Sequence, residues 1–233
     1  MYKQIIKQLK RIANSRFFLR IIEIFDRRSE NRITEFGMLA QAFEFKAINN
    51  VKGDYFEFGL WRGKTFCYAH IMKHRYRQLD TKLFGFDSFQ GLPEIADEKD
   101  NIWHEGQFAY SEDKLRAHLK RQGILDHEFE LIPGYYENSL TDSLHEQFHN
   151  KSAAIVYIDC DLYESTIPVL NFMRRYLVNG TIICFDDYYN YKAAADQGEQ
   201  RAMREFLQEH QEIQFIPYFD YSPLGKSFIV RLM

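Results

Sequence analysis

Apolar positions between residues 50 and 187 fall into short, nearly unbroken runs separated by amphipathic stretches. Tyr55–Gly59, Leu83–Asp87, Glu128–Ile132, Ala153–Asp159 and Thr181–Asp186 read as strands buried on both faces. Thr65–Arg77, Glu112–Arg121, Ser139–Phe148 and Ser165–Tyr176 carry apolar residues at helical spacing between them. This βα alternation predicts an α/β fold, a mostly parallel sheet with right-handed crossovers and helices on both faces. The tail breaks the pattern. After a helix near Glu199–Gln208, Ile213–Tyr218 and Ser227–Leu232 flank a turn-rich stretch from Asp220 to Gly225, which predicts a terminal antiparallel pair. The longest irregular stretch, Ser88–Tyr110, exceeds ordinary loop length and reads as a lid or binding loop.

The N-terminal segment has a different character. Ile5, Ile6, Leu9 and Ile12, then Phe17, Phe18, Ile21, Ile22 and Phe25, recur at helical spacing among Lys and Arg, which predicts helices at 2–12 and 16–27, with a third at about 34–49. Residues 1–32 carry nine basic and three acidic side chains, so a net charge of −3 leaves −9 on the other 201 residues. We read 1–49 as a helical cap or oligomerisation segment, implying a homo-oligomer, and 50–233 as the main domain. Contact of the basic helices with a membrane surface is the lesser alternative. No apolar run approaches the roughly eighteen residues that cross a bilayer, and Cys67, Cys160 and Cys184 look like buried thiols of a reducing compartment. A cytoplasmic protein without a nucleic-acid partner is expected.

Two acidic pairs close apolar runs. Asp159 and Asp161 follow Ala153–Ile158, and Asp186 and Asp187 follow Thr181–Phe185. Neighbouring strands lie about 4.8 Å apart, so if these two are adjacent, four carboxylates collect at one rim. Like charges that close repel by about 4 kcal/mol per pair at an effective dielectric of 20, and a cation, shared protons or wide separation must answer that. Four aspartates without a nearby His are a hard oxygen donor set, suited to Mg²⁺ or Mn²⁺ rather than zinc.

At the other end of this rim, Gly59 and Gly63 let the backbone turn tightly where a helix begins, with Glu57, Trp61 and Thr65 around them. The pattern is neither GxGxxG nor a Walker loop, which disfavours a dinucleotide or nucleoside triphosphate. Asp87, followed by Ser88, ends the second strand, where a carboxylate can accept ribose hydroxyls or simply cap the strand. An adenosine ligand without a pyrophosphate, such as S-adenosylmethionine, fits both features, Glu57 and the first turn holding its amino-acid end. Otherwise Glu57 is a buried partner of Arg62 or Lys64.

Glu57–Gly63, Phe86–Pro93, Ile158–Thr166 and Phe185–Tyr188 together resemble the signatures of the macrocin O-methyltransferase family, and Trp103–Phe108 with Ser111 resembles that family's loop before its next helix. The resemblance spans about residues 39–206. It implies a Rossmann-like class I methyltransferase fold with a seven-stranded sheet, S-adenosylmethionine and Mg²⁺ as cofactors, and methylation of a sugar or glycoside hydroxyl. It implies Asp159, Asp186 and Asp187 as metal ligands. Asp161 is then the expected general base, with Asp159 the alternative. One departure stands out: after Asp186-Asp187-Tyr188 the family continues through Gly, whereas here Tyr189–Gln197 intervenes before Gly198.

Rival readings account for less. A haloacid-dehalogenase phosphatase motif continues DxDx[TV], but Tyr163 holds the last position, and a DxD glycosyltransferase leaves Glu57–Gly63 and Asp87 unexplained. A non-catalytic binding domain has no need to concentrate four aspartates. His70 and His74 have zinc-compatible spacing, but no third ligand is evident and a solvated face is expected. Tyr135, Tyr136, Tyr188, Tyr189 and Tyr191 near the strand ends are candidates to line an adenine or acceptor pocket.

Overall fold

The strand and helix order read from the sequence recurs in a computed structural model, which describes residues 33–95 and 102–233. The helices expected at 2–12 and 16–27 lie outside those residues. Five strands, β1 (Asp54–Phe58), β2 (Leu83–Asp87), β3 (Phe129–Pro133), β4 (Ala153–Ile158) and β5 (Leu177–Phe185), are mutually parallel. β6 (Ile213–Tyr221) and β7 (Gly225–Leu232) form the antiparallel end of one seven-stranded sheet ordered β3-β2-β1-β4-β5-β7-β6. This is the strand order of a class I methyltransferase fold, as expected.

Strand alternation sorts side chains into two apolar layers. Tyr55, Ile155, Tyr157, Ile182 and Cys184 face α1 (Glu35–Ile48), α2 (Lys64–Arg75) and α3 (Glu112–Arg121). Phe56, Phe58, Val156, Ile158, Ile183 and Phe185 face α5 (Asp142–Gln147), α6 (Tyr163–Met173) and α7 (Gly198–Glu209). α1, grouped by sequence with the N-terminal segment, buries Phe36, Met38, Leu39, Ala42 and Phe43 in the first layer. The second layer is a phenylalanine stack, with Phe56 on Phe84 at 5.0 Å and Phe58 on Phe86 at 4.4 Å between ring centres. All three cysteines are buried and none is in a disulfide. Among the described residues no helix is long and apolar enough to cross a membrane.

Two expectations need correction. The single helix predicted over 139–148 is two, α4 (Tyr136–Ser139) and α5, because Thr141 adopts an extended conformation and its hydroxyl accepts from the Leu144 amide, starting a new helix. The His70–His74 face is not simply solvated. α2 packs beside the 3₁₀ turn that precedes β3, which brings Glu128 against both rings and leaves His70 2% exposed. Burial lowers the His70 imidazole below its ordinary value. Burial alone would raise Glu128, but the Leu125 amide, His70 and Lys73 outweigh it and hold its carboxyl at about 2.

The phenylalanine layer carries stability that an exposed apolar residue does not. Phe56→Ala is expected to cost about 3–5 kcal/mol in urea unfolding. Ile48→Ala, at a position 76% exposed, should stay within about 0.5 kcal/mol.

Candidate active site

The winding reverses between β1 and β4, since β1 pairs with β2 on one side and with β4 on the other. Ligand crevices in such sheets open at the carboxyl ends of the strands beside that reversal. A cavity of about 280 Å³ opens there, lined by the tips of β1, β2, β4 and β5 and by residues of the 88–110 loop. Backbone bonds lock the tips in step: the Gly59 amide donates to Phe86 (2.9 Å), Asp159 to Phe58 (2.8 Å) and Asp186 to Ile158 (2.9 Å). Gly59 has φ 86°, and a Cβ built on it would lie 1.9 Å from the Asp159 carbonyl oxygen. Only glycine lets these two tips close together.

β4 and β5 are adjacent, so the acidic pairs do share one rim. Carboxylate oxygens of Asp159, Asp161 and Asp187 lie within 4.8 Å of one another. Asp161, at φ 61°, is held in the left-handed region, a conformation that aspartate tolerates better than most residues and that recurs at functional sites. Its carboxyl hydrogen-bonds to that of Asp187. Asp186 also lines the cavity, with its carboxylate accepting from the Tyr157 hydroxyl. From sequence Glu199 reads only as the start of a helix, where an acidic residue ordinarily complements the dipole. It turns inward instead. It is 1% exposed and accepts from the amides of Asp187 (3.1 Å) and Cys160 (3.5 Å), tying the β5 and β4 tips together.

Burial pushes all five carboxyls above their ordinary values, and the neighbouring carboxylates add to the rise at Asp159, Asp161 and Glu199. Asp186 rises to about 7, chiefly through burial, with the Tyr157 hydrogen bond working against it. Among the described residues no Lys, Arg or His forms an ion pair with any of the five. An all-oxygen, charge-rich, buried donor set of this kind fits a hard divalent cation, which would lower these values by its own charge.

At the other end of the cavity stand Gly59, Trp61, Asp87 and Ser88. The Asp87 carboxylate accepts from the amides of Leu60 (2.7 Å), Trp61 (3.0 Å) and Phe89 (2.6 Å), so it organises both turns. A carboxylate offers about four acceptor positions, which leaves one for a ligand. The Ser88 hydroxyl donates to Gly91 O at 2.8 Å. Trp61, Phe108 and Trp103 make an edge-to-face aromatic wall, both centroid separations being 5.6 Å. Of the five tyrosines singled out from sequence, Tyr135 and Tyr136 line the cavity, and Tyr188, Tyr189 and Tyr191 do not. Glu57, Gly63 and Thr65 also lie outside its lining. Glu57 is buried with Tyr55 and Thr65 as its hydroxyl donors, not Arg62 or Lys64, and burial raises its carboxyl to about 8.

Comparison with known proteins agrees with this fold. The family profile described as macrocin-O-methyltransferase (TylF) matches residues 30–220. An 8-demethyl-8-(2,3-dimethoxy-alpha-L-rhamnosyl)-tetracenomycin-C 4'-O-methyltransferase of Streptomyces olivaceus is 27% identical over 64% of this chain and 58% of its own length. A mycinamicin III 3''-O-methyltransferase of Micromonospora griseorubida is 28% identical over 64% of this chain and 61% of its own. The chain thus spans less than two thirds of the length of the curated relatives it matches. Among solved structures, the O-methyltransferase NovP has a TM-score of 0.69 at 23% identity, covering 83% of this chain and 78% of its own. A Bacillus cereus O-methyltransferase in complex with SAH has a TM-score of 0.56 at 12% identity, covering 95% of this chain and 94% of its own.

Two stability measurements test the site. Gly59→Ala should cost about 2–5 kcal/mol in urea unfolding, from backbone strain plus the clash with β4. Gly106→Ala, at φ 73° with open space around it, should cost only the strain, about 1–2 kcal/mol. The raised carboxyls also fix a sign. Unfolded carboxylates titrate near 4, whereas Asp186 does so at about 7 and Glu57 at about 8, so the folded chain holds more protons between those values. Stability in EDTA is therefore full below about pH 4 as far as these groups contribute, and falls as pH rises from 5 to 8. A contribution that grew over that window would contradict the burial argument.

Proposed function

This chain belongs to the macrocin-O-methyltransferase family, and on that premise we propose that it transfers a methyl group from S-adenosylmethionine to a hydroxyl of a sugar or glycoside, with Mg²⁺ or Mn²⁺ held at the acidic rim. The observation that carries this reading is that the Asp87 turn and the carboxylate cluster are two walls of one cavity. A donor held at one wall meets an acceptor hydroxyl held at the other. When bound, the sulfonium supplies an electrophilic methyl carbon, and the cation supplies a lowered pKa for the acceptor hydroxyl.

The chain's own groups do the rest. Asp87 keeps one acceptor position for a ribose hydroxyl, while the Gly59–Trp61 turn that it braces approaches the rest of the donor. Trp61, Phe108 and Trp103 offer an apolar wall for the C–H face of a sugar or a purine. Asp159, Asp186 and Asp187 would hold the cation in this reading, Asp186 through the carboxylate oxygen that Tyr157 does not engage. Asp161 takes the hydroxyl proton. It stands beside Asp187, and burial and that neighbour raise its carboxyl above the ordinary value, the direction that favours proton uptake. We read the segment up to residue 49 as a cap or oligomerisation element and the protein as cytoplasmic.

Calorimetry with S-adenosylmethionine and S-adenosylhomocysteine, with and without Mg²⁺, is the primary test, and no binding of either ligand would remove the methyltransferase reading. Asp159→Ala and Asp186→Asn should abolish release of S-adenosylhomocysteine across a panel of nucleotide sugars and glycosides while leaving cofactor affinity largely intact. Asp161→Asn should lower turnover about 10²- to 10⁴-fold with Mg²⁺ affinity retained. Loss of Mg²⁺ binding in that variant would instead place Asp161 among the ligands.

A further inference from the structure

We propose that His70, His74 and Glu128 form a second metal site, for a borderline divalent transition ion of the zinc class, at the end of the sheet opposite the acidic rim. His70 and His74 lie toward the end of α2, which runs away from the rim, and Glu128 immediately precedes β3. Three donor atoms meet there. His70 Nε2 is 3.1 Å from Glu128 Oε1 and 3.2 Å from His74 Nε2, and His74 Nε2 is 3.4 Å from Glu128 Oε1. Tetrahedral zinc with bonds of about 2.0–2.1 Å needs ligand atoms about 3.3–3.4 Å apart, so this triangle is close to one face of its coordination shell. The fourth position is left to water.

Protons cannot satisfy the same triangle. Each hydrogen bond needs one donor and one acceptor, and an ionised Glu128 accepts on both of its edges. Both imidazoles must then donate from Nε2, which sets two N–H groups against each other across the 3.2 Å contact. Baring either nitrogen relieves that edge and turns its contact with Glu128 into lone pair against lone pair. A cation makes all three edges attractive at once. The surroundings set the strength of the site. Lys73, 3% exposed, places Nζ 3.3 Å from the same Oε1 and competes with the ion, while the Leu125 amide takes Oε2 at 3.0 Å. His70 Nδ1 is buried with no hydrogen-bond partner, and a ligating histidine ordinarily donates from that atom, so the affinity is modest. The ion would staple the end of α2 to the start of β3, far from the methyl-transfer chemistry.

The test is calorimetric titration of the full chain with Zn²⁺ in excess Mg²⁺, wild type against His74→Ala. His74 is 46% exposed, so its truncation removes little core packing. The wild type should bind one more equivalent of Zn²⁺ than the variant, and saturating Zn²⁺ should raise its melting temperature by roughly 2–4 °C or more, a shift that the variant lacks. Equal stoichiometry and equal shifts in the two proteins would overturn the proposal, whatever the outcome at the acidic rim.

Discussion

The parallel pairing of β4 with β5 is the constraint on which the rest of this molecule turns. Their register sets Ile158 beside Phe185, so the residues just past each strand emerge at the same height on the same rim. Those residues are Asp159 and Asp161 on one strand and Asp186 and Asp187 on the other. Repulsion of about 4 kcal/mol per close pair at an effective dielectric of 20 is large beside the 5–15 kcal/mol of net stability of an ordinary domain. Two apolar layers and a ladder of tip amides hold the strands in that arrangement nonetheless. The fold therefore keeps a cluster that protons or a cation must neutralise.

The cluster is also braced so that it cannot relax by spreading. Glu199 reaches from the first turn of α7 to the amides of Cys160 and Asp187, one on each acidic tip. It adds a buried carboxylate to four that already crowd one rim, and what it returns for that cost is the fixed spacing of the two acidic tips. Asp161 in the left-handed region points the same way, because backbone strain persists only where the surroundings enforce it. A preorganised cation site needs this kind of rigidity, since ligands that move lose the geometry that binds the ion.

Much of the fold was legible because its elements are locally consistent: two-sided apolar strands, amphipathic helices between them, and turn residues before the antiparallel pair. The acidic rim was legible for the same reason, since strand ends can be located from the runs that precede them. Features that depend on aim were not. Glu199 has the position of a dipole-complementing residue and the role of a brace, and no local pattern separates the two. Tyr55 and Glu57 are two residues apart on one strand and so share a face, and that spacing, rather than the nearby charges of Arg62 and Lys64, marks the partner of Glu57. Glu128 lies 54 residues beyond His74, and only the packing of α2 beside β3 brings them together.

The segment in which the chain departs from its family pattern bears on the same cluster. Tyr191, Lys192 and Ala193 are three consecutive residues with φ between 53° and 60°, a strained turn for side chains of this kind. It is held by the Tyr191 ring packed over Gly198, where an added Cβ would come within 2.7 Å of the ring. At the start of this segment the Asn190 side-chain amide donates to Asp187 Oδ1 at 3.2 Å. The inserted residues are thus anchored at one end to a carboxylate of the rim and at the other to the helix that carries Glu199. The turns built on Gly59 and Asp87 keep the family pattern, whereas residues 189–197 reshape the chain beside the carboxylates. The departure thus touches the acidic end of the cavity, reaching Asp187 directly and Glu199 through the start of its helix.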